Sequence, residues 1–156
     1  MIYRVELGYS TFDGYIKTDD GHEICGQSTR IGPYNWNRSD DPRVQLWMHQ
    51  NGWEHFRHAT GYVDARHPTV REDYQLVHAL EAAGINAEWG WEGHFMFGFE
   101  TLEALKLWFD AADREQLGNT GFVVSVYEGG QEVHGSKQSL FSKDATLKEI
   151  LYFGDI

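Results

Sequence analysis

A chain of 156 residues has the length of one ordinary domain and can bury a real core without disulfides or metal. Charged residues at 24% and apolar residues at 41% exclude wholesale disorder, and no stretch approaches the roughly 20 apolar residues of a membrane span. The net charge of -11, from 13 Lys+Arg against 24 Asp+Glu, argues against direct nucleic-acid binding, which is driven by neutralising phosphates.

In chain order, residues 2–7 (IYRVEL) alternate, with Tyr3, Val5 and Leu7 on one face and Arg4 and Glu6 on the other. That predicts a half-buried strand. The stretch YIKTDDGHEIC predicts a hairpin with arms Tyr15–Thr18 and His22–Cys25 around Asp20-Gly21. Residues 26–41 carry Gly26, Gly32, Pro33 and Ser39, and they predict a loop that holds Tyr34 and Trp36. Asp41-Pro42 predicts a helix start and Asn51-Gly52 its end. Residues 53–68 are irregular and rich in aromatics and histidine. Over 57–71, Arg57, Arg66 and Arg71 outweigh Asp64.

A helix is expected from Thr69, where Thr69 and Glu72 have the spacing of a capping box. Val70, Tyr74, Val77 and Leu80 would form its apolar face, with Gly84 as the terminating residue. The next segment, NAEWGWEG, predicts a loop with two Trp, followed by a strand HFMFGF. A second helix is expected from Leu102 to about Leu117, burying Leu102, Leu105, Phe109 and Ala112. FVVSVY (122–127) predicts a strong strand and Glu128–Gln131 a turn. Val133 and Ser139–Phe141 predict short strands, and Ala145–Leu151 a short amphipathic segment. There is no repeat, low-complexity tract or linker. The expected fold is a single α+β domain over 1–156, a mostly antiparallel twisted sheet with two main helices.

Chemistry-bearing patterns are sparse. His49, His55, His58 and His67 lie close in sequence, and His55-x-x-His58 could place two imidazoles on one helical turn. The spacing matches no structural zinc family, so surface or interface histidines are expected and no metal is assigned. The single cysteine, Cys25, allows no internal disulfide and suggests a reducing compartment. The N-terminal MIYRVELGY has neither the basic lead nor the apolar run of a signal peptide. No nucleophile elbow and no glycine-rich phosphate loop occurs. The paired carboxylates Asp19-Asp20, Asp40-Asp41 and Glu72-Asp73 fall at turns or helix starts. No catalytic residue and no cofactor is assigned. Acids are too thinly spread, never more than two together, for a mimic of DNA phosphates. Aromatics reach 15%, enough both to fill a core and to supply surface anchors for a partner.

Several landmarks follow one another in order: Tyr3-Arg4-Val5-Glu6, Gly32-Pro33-Tyr34, His67-Pro68, Glu72-Asp73, Phe97-Gly98-Phe99, Leu102 and Leu105 with Trp108-Phe109, Gly121-Phe122, Val126-Tyr127-Glu128, Gly135, Gln138 and Phe141. This order resembles small accessory proteins of tailed bacteriophages and prophages. The resemblance implies an accessory protein acting in the host bacterial cytoplasm, and it implies no reaction; the aromatic content, the acidic field and the lack of a catalytic constellation point to a host or defence protein as partner. A more distant resemblance is to ADP-ribosyltransferases, with Arg4 on the first strand, Phe97–Phe99 running into a helix, and Gln138 where that family carries a catalytic Glu. Gln138 supplies no negative charge, so this resemblance implies a nucleotide- or NAD-like ligand without catalysis. The candidate binding residues are Arg4, Tyr34, Trp36, Arg66, His67 and Gln138, meeting in one cleft. A binding protein for a host component, a nucleotide-binding domain and a metal enzyme on the histidine cluster are the three expectations, in that order.

Overall fold

Alternation along residues 95–99 builds one strand of a three-stranded sheet. In the computed structural model, which describes residues 1–7, 15–17, 23–25, 67–91, 93–119 and 122–156, the strands are β1 (Ile2–Leu7), β2 (Tyr15–Lys17), β3 (Glu23–Cys25), β4 (Phe95–Gly98), β5 (Phe122–Glu128), β6 (Glu132–His134), β7 (Ser139–Ser142) and β8 (Thr146–Leu151). The helices are α1 (Tyr74–Ala82), α2 (Leu102–Trp108) and α3 (Ala111–Asn119), with a 3-10 turn at Phe153–Asp155. The fold is α+β, with antiparallel pairing of β2 with β3, β4 with β7, and β6 with β7. A further sheet runs in the order β1-β5-β8. Its central strand, β5, is buried from Phe122 to Tyr127, which is why that segment reads as nearly continuous apolar sequence. The chain divides into two compact units.

The first unit comprises the described residues of Met1–Arg4, Gly61–Trp108 and Val126–Glu149. Its three-stranded sheet has the order β4-β7-β6, with Met96 opposite Phe141 and Phe97 opposite Leu140. Both sheet faces are covered. One face packs Leu140 and Val133, with Phe95 and Phe97, against Leu76 and Leu80 of α1 and against Val70. The other buries Met96 and Phe141 with Ile2, Tyr127 and Ala145. β1 touches β4 through a single bridge, in which Tyr3 N donates to Phe99 O (2.9 Å) and Phe99 N to Tyr3 O (2.8 Å). Gly98 makes that approach possible, because a Cβ there would collide with Ile2 Cγ2.

Three expectations change. The helix after Thr69 starts five residues later. Thr69–Glu72 is a turn, closed by Glu72 N to Thr69 O (3.1 Å) and Asp73 N to Thr69 O (3.0 Å). Asp73 is the N-cap, accepting from Leu76 N at 3.2 Å. The later start turns Tyr74 outward to 76% exposure and puts Leu76 with Leu80 on the buried face. The C-terminal end is as expected, with Gly84 at φ +76°. The second predicted helix is two. Asp110 and Asp113 form a reciprocal box, Asp113 N donating to Asp110 Oδ1 (2.9 Å) and Asp110 N to Asp113 Oδ2 (3.2 Å), so a new helix begins where one was expected to continue. Leu105 and Phe109 are buried as expected, whereas Ala112 is exposed. Finally, β1 is not half-buried: Arg4 and Glu6 are enclosed as fully as Val5.

The second unit contains the described residues of Val5–Thr60, Phe109–Ser125 and Ile150–Ile156. It includes the predicted hairpin arms, paired Tyr15 to Cys25, Ile16 to Ile24 and Lys17 to Glu23. In α3, Leu117 is buried, and Arg114 NH1 donates to Phe109 O at 2.6 Å. The Asp20-Gly21 turn and the predicted 41–52 helix lie outside the described residues.

Candidate functional site

Arg4, His67, Asp73 and Gln138, buried in the first unit, each meet a backbone group. Asp73 is 2% exposed, and its carboxylate does more than cap α1. It accepts from Ser136 N (3.0 and 3.1 Å), from Ser136 Oγ (3.0 Å) and from Lys137 N (3.5 Å). Those donors belong to the tight turn joining β6 to β7, which is closed by Gly135 N to Gln138 O at 2.8 Å. One carboxylate therefore fixes both the start of α1 and the tip of the hairpin it packs on.

Of the candidate binding residues, three are described. Arg4 NH1 donates to Phe97 O at 2.6 Å. His67 Nε2 lies 2.6 Å from Trp108 O, and its ring meets the Trp108 indole edge-on at 4.8 Å between centroids. Gln138 Nε2 donates to Pro68 O at 2.7 Å. All three side chains are buried, Gln138 and Arg4 each 6% exposed and His67 1%. They share one neighbourhood. Gln138 precedes Ser139, which pairs with Gly98, and Trp108 packs on Phe99 at 5.7 Å. Tyr34, Trp36 and Arg66 lie outside the described residues, as do His49, His55 and His58. Among the described residues, no group of His, Cys, Asp and Glu has the arrangement to hold a metal ion.

A polar cluster lies along β6. His134 Nδ1 is 2.8 Å from Ser139 Oγ, and its Nε2 is 3.3 Å from Glu132 Oε1. Glu132 also pairs with the Met1 ammonium at 2.9 Å. Ser139 is only 3% exposed, so this Ser-His-Glu row offers no nucleophile that a substrate can reach.

The solvent-facing side of the same unit is different in kind. Tyr74 at the start of α1 and Trp89 in the turn after it stand 76% and 67% exposed. Exposed Glu72, Glu81 and Glu88 accompany them. From Glu72 through Leu105 the chain carries seven acids (Glu72, Asp73, Glu81, Glu88, Glu92, Glu100, Glu103) and no Lys or Arg. Sequence periodicity had assigned Tyr74 to the core. An Asp three residues before Leu76, the spacing of an N-cap with its N3 residue, was the signal that would have turned it outward.

A protein-family model described as Bacteriophage T4 Y00F protein matches residues 1–152. The chain belongs to that phage family. The match spans every landmark from Tyr3 to Phe141 on which the phage resemblance rested. No curated protein and no solved structure matches the chain, so the ADP-ribosyltransferase likeness gains no support. Among the described residues of this phage protein, no helix is long and apolar enough to cross a membrane.

Proposed function

We propose that this phage protein is a non-catalytic accessory factor of the host cytoplasm that binds a host or defence component and inhibits or modulates it. The observation that carries the reading is the contrast between interior and surface. Arg4, His67, Asp73 and Gln138, the groups suited to polar chemistry, are buried on backbone partners. The surface presents large aromatics among carboxylates, the residue types that anchor and steer protein partners. The lone Cys25 fits a reducing compartment. Affinity purification of the tagged protein from infected cells tests this. A host protein retained above the untagged control, and bound again when both are purified, is the expected result. Failure of every captured protein to bind in purified form would refute it.

A second reading has one observation behind it. Arg4, His67 and Gln138 gather around Phe97–Phe99 and Trp108, where Tyr34, Trp36 and Arg66 would have to join them to form a cleft for a nucleotide-like ligand. A rise in melting temperature with NAD or a cyclic nucleotide would favour it.

A further inference from the structure

The turn after Thr69 and the cap at Asp73 rotate α1 so that its outer stripe carries Tyr74, His78 and Glu81, spaced four and three residues apart. All three are exposed, while the opposite side of the helix is sealed onto β6 and β7 through Leu76 and Leu80. Immediately beyond the helix, Gly84 at φ +76° turns the chain, and the Asn86 side chain accepts from Glu88 N at 2.8 Å. Trp91 is tied back by Nε1 to Ala87 O at 3.1 Å and packs on Phe97, so the turn is held in place from one side. Trp89, on the same turn, remains 67% exposed. A large indole displayed on a braced turn loses little conformational freedom on binding, the property that makes Trp and Tyr effective anchors.

Along the chain the charge beside these anchors is acidic, with Arg71 just before the stretch and Lys137 at the hairpin tip that Asp73 binds. Between Arg71 and Lys106 there is no cationic side chain other than histidine, at His78 and His94. Carboxylates beside an aromatic ring are the complement of a guanidinium, which can pair with the acid and lie over the ring face. Resting on the protein-binding reading above, we propose that the outer face of α1 and the turn 87–91 is the docking surface for an arginine-rich face of a partner protein, with Tyr74 and Trp89 as anchors and Glu81 and Glu88 as charge partners.

The test uses the full chain and three purified probes of equal length: oligo-arginine, oligo-lysine and oligo-glutamate. Binding is followed by amide chemical shifts and titration at two salt concentrations. Expected are shifts confined to residues 71–91, tighter binding of oligo-arginine than of oligo-lysine, no binding of oligo-glutamate, and weakening with salt. Trp89→Ala with Tyr74→Ala should weaken oligo-arginine at least fivefold, as should Glu81→Lys with Glu88→Lys. Because these side chains are exposed, the variants should melt with the wild type, which separates lost docking from lost folding. Shifts centred elsewhere, equal affinity for arginine and lysine probes, or unchanged affinity in both double variants would overturn the assignment. The two proposals fail differently. A captured partner that binds both double variants as it binds wild type removes this surface but leaves the protein-binding function, whereas the absence of any purified partner removes the function itself.

Discussion

Asp73→Ala is the most informative single change in the described structure, because one carboxylate joins two elements that meet only through tertiary packing. Its removal takes the N-cap from α1, where Leu76 N loses its acceptor, at a cost of about 1 kcal/mol. It also leaves the Ser136 and Lys137 amides of the β6–β7 turn without their carboxylate. Water can reach those exposed turn residues, so the second cost is held to about 1–2 kcal/mol, near the low end for bonds to a charged group. The sum, about 2–3 kcal/mol, corresponds to a melting-temperature drop of about 4–12 °C for a chain of this size. Urea unfolding with a common slope would measure the same difference at 25 °C. Asp73→Asn keeps the cap but replaces one acceptor oxygen with a donor, and should lose about half as much, roughly 1–1.5 kcal/mol. Thr69→Ala is the control: it removes only a surface contact, Thr69 Oγ1 to Glu72 Oε1, and should cost less than about 0.5 kcal/mol. The reasoning is refuted if Asp73→Ala melts within about 2 °C of wild type, or if Thr69→Ala is the more damaging of the two.

Three further changes probe other parts of the argument. Gly98→Ala should destabilise by about 1–3 kcal/mol in urea, since its Cβ has to displace Ile2 and also meets Phe141 Cε1 at 3.2 Å. Leu80→Ala, at the fully buried centre of the α1–sheet contact, should cost about 2–5 kcal/mol, and a loss under 1 kcal/mol would mean the helix is not seated as described. Chelator should leave the melting temperature unchanged, because the spacing of His55 and His58 is not that of a structural metal site; a large fall accompanied by zinc in the purified protein would reverse that assignment.

Elements whose signal was strictly local were legible in the sequence. The alternating runs at 2–7 and 95–98 and the nearly continuous apolar run at 122–127 formed strands, and Gly84 ended its helix. The errors arose where a polar side chain had two partners to choose from. Thr69 with Glu72 and Asp73 with Leu76 are both credible caps, and the choice fell to Asp73 because a distant hairpin turn also needs that carboxylate. Likewise, nothing within Leu102–Leu117 marks a break until Asp110 is seen to bond back and forth with Asp113. Long-range demand decided both cases, and a single sequence carries no direct trace of it.

Arg4 carries the last prediction, because its side chain is buried on the sheet. An arginine in a half-exposed strand invites a ligand, and sequence reasoning placed it at one. In the structure the β1–β4 ladder consists of one bridge, Tyr3 to Phe99. The Arg4 guanidinium donates to Phe97 O at 2.6 Å, so the side chain is engaged with the backbone beside that bridge. Arg4→Met keeps much of the length and apolar stem and removes that donor. It should destabilise by about 1.5–3 kcal/mol, the usual worth of a hydrogen bond from a charged donor. It should leave capture of the partner unchanged once temperature is lowered to keep the variant folded. The opposite pattern, full stability with binding lost, would return Arg4 to the recognition site and give the cleft around Phe97–Phe99 precedence over the face of α1.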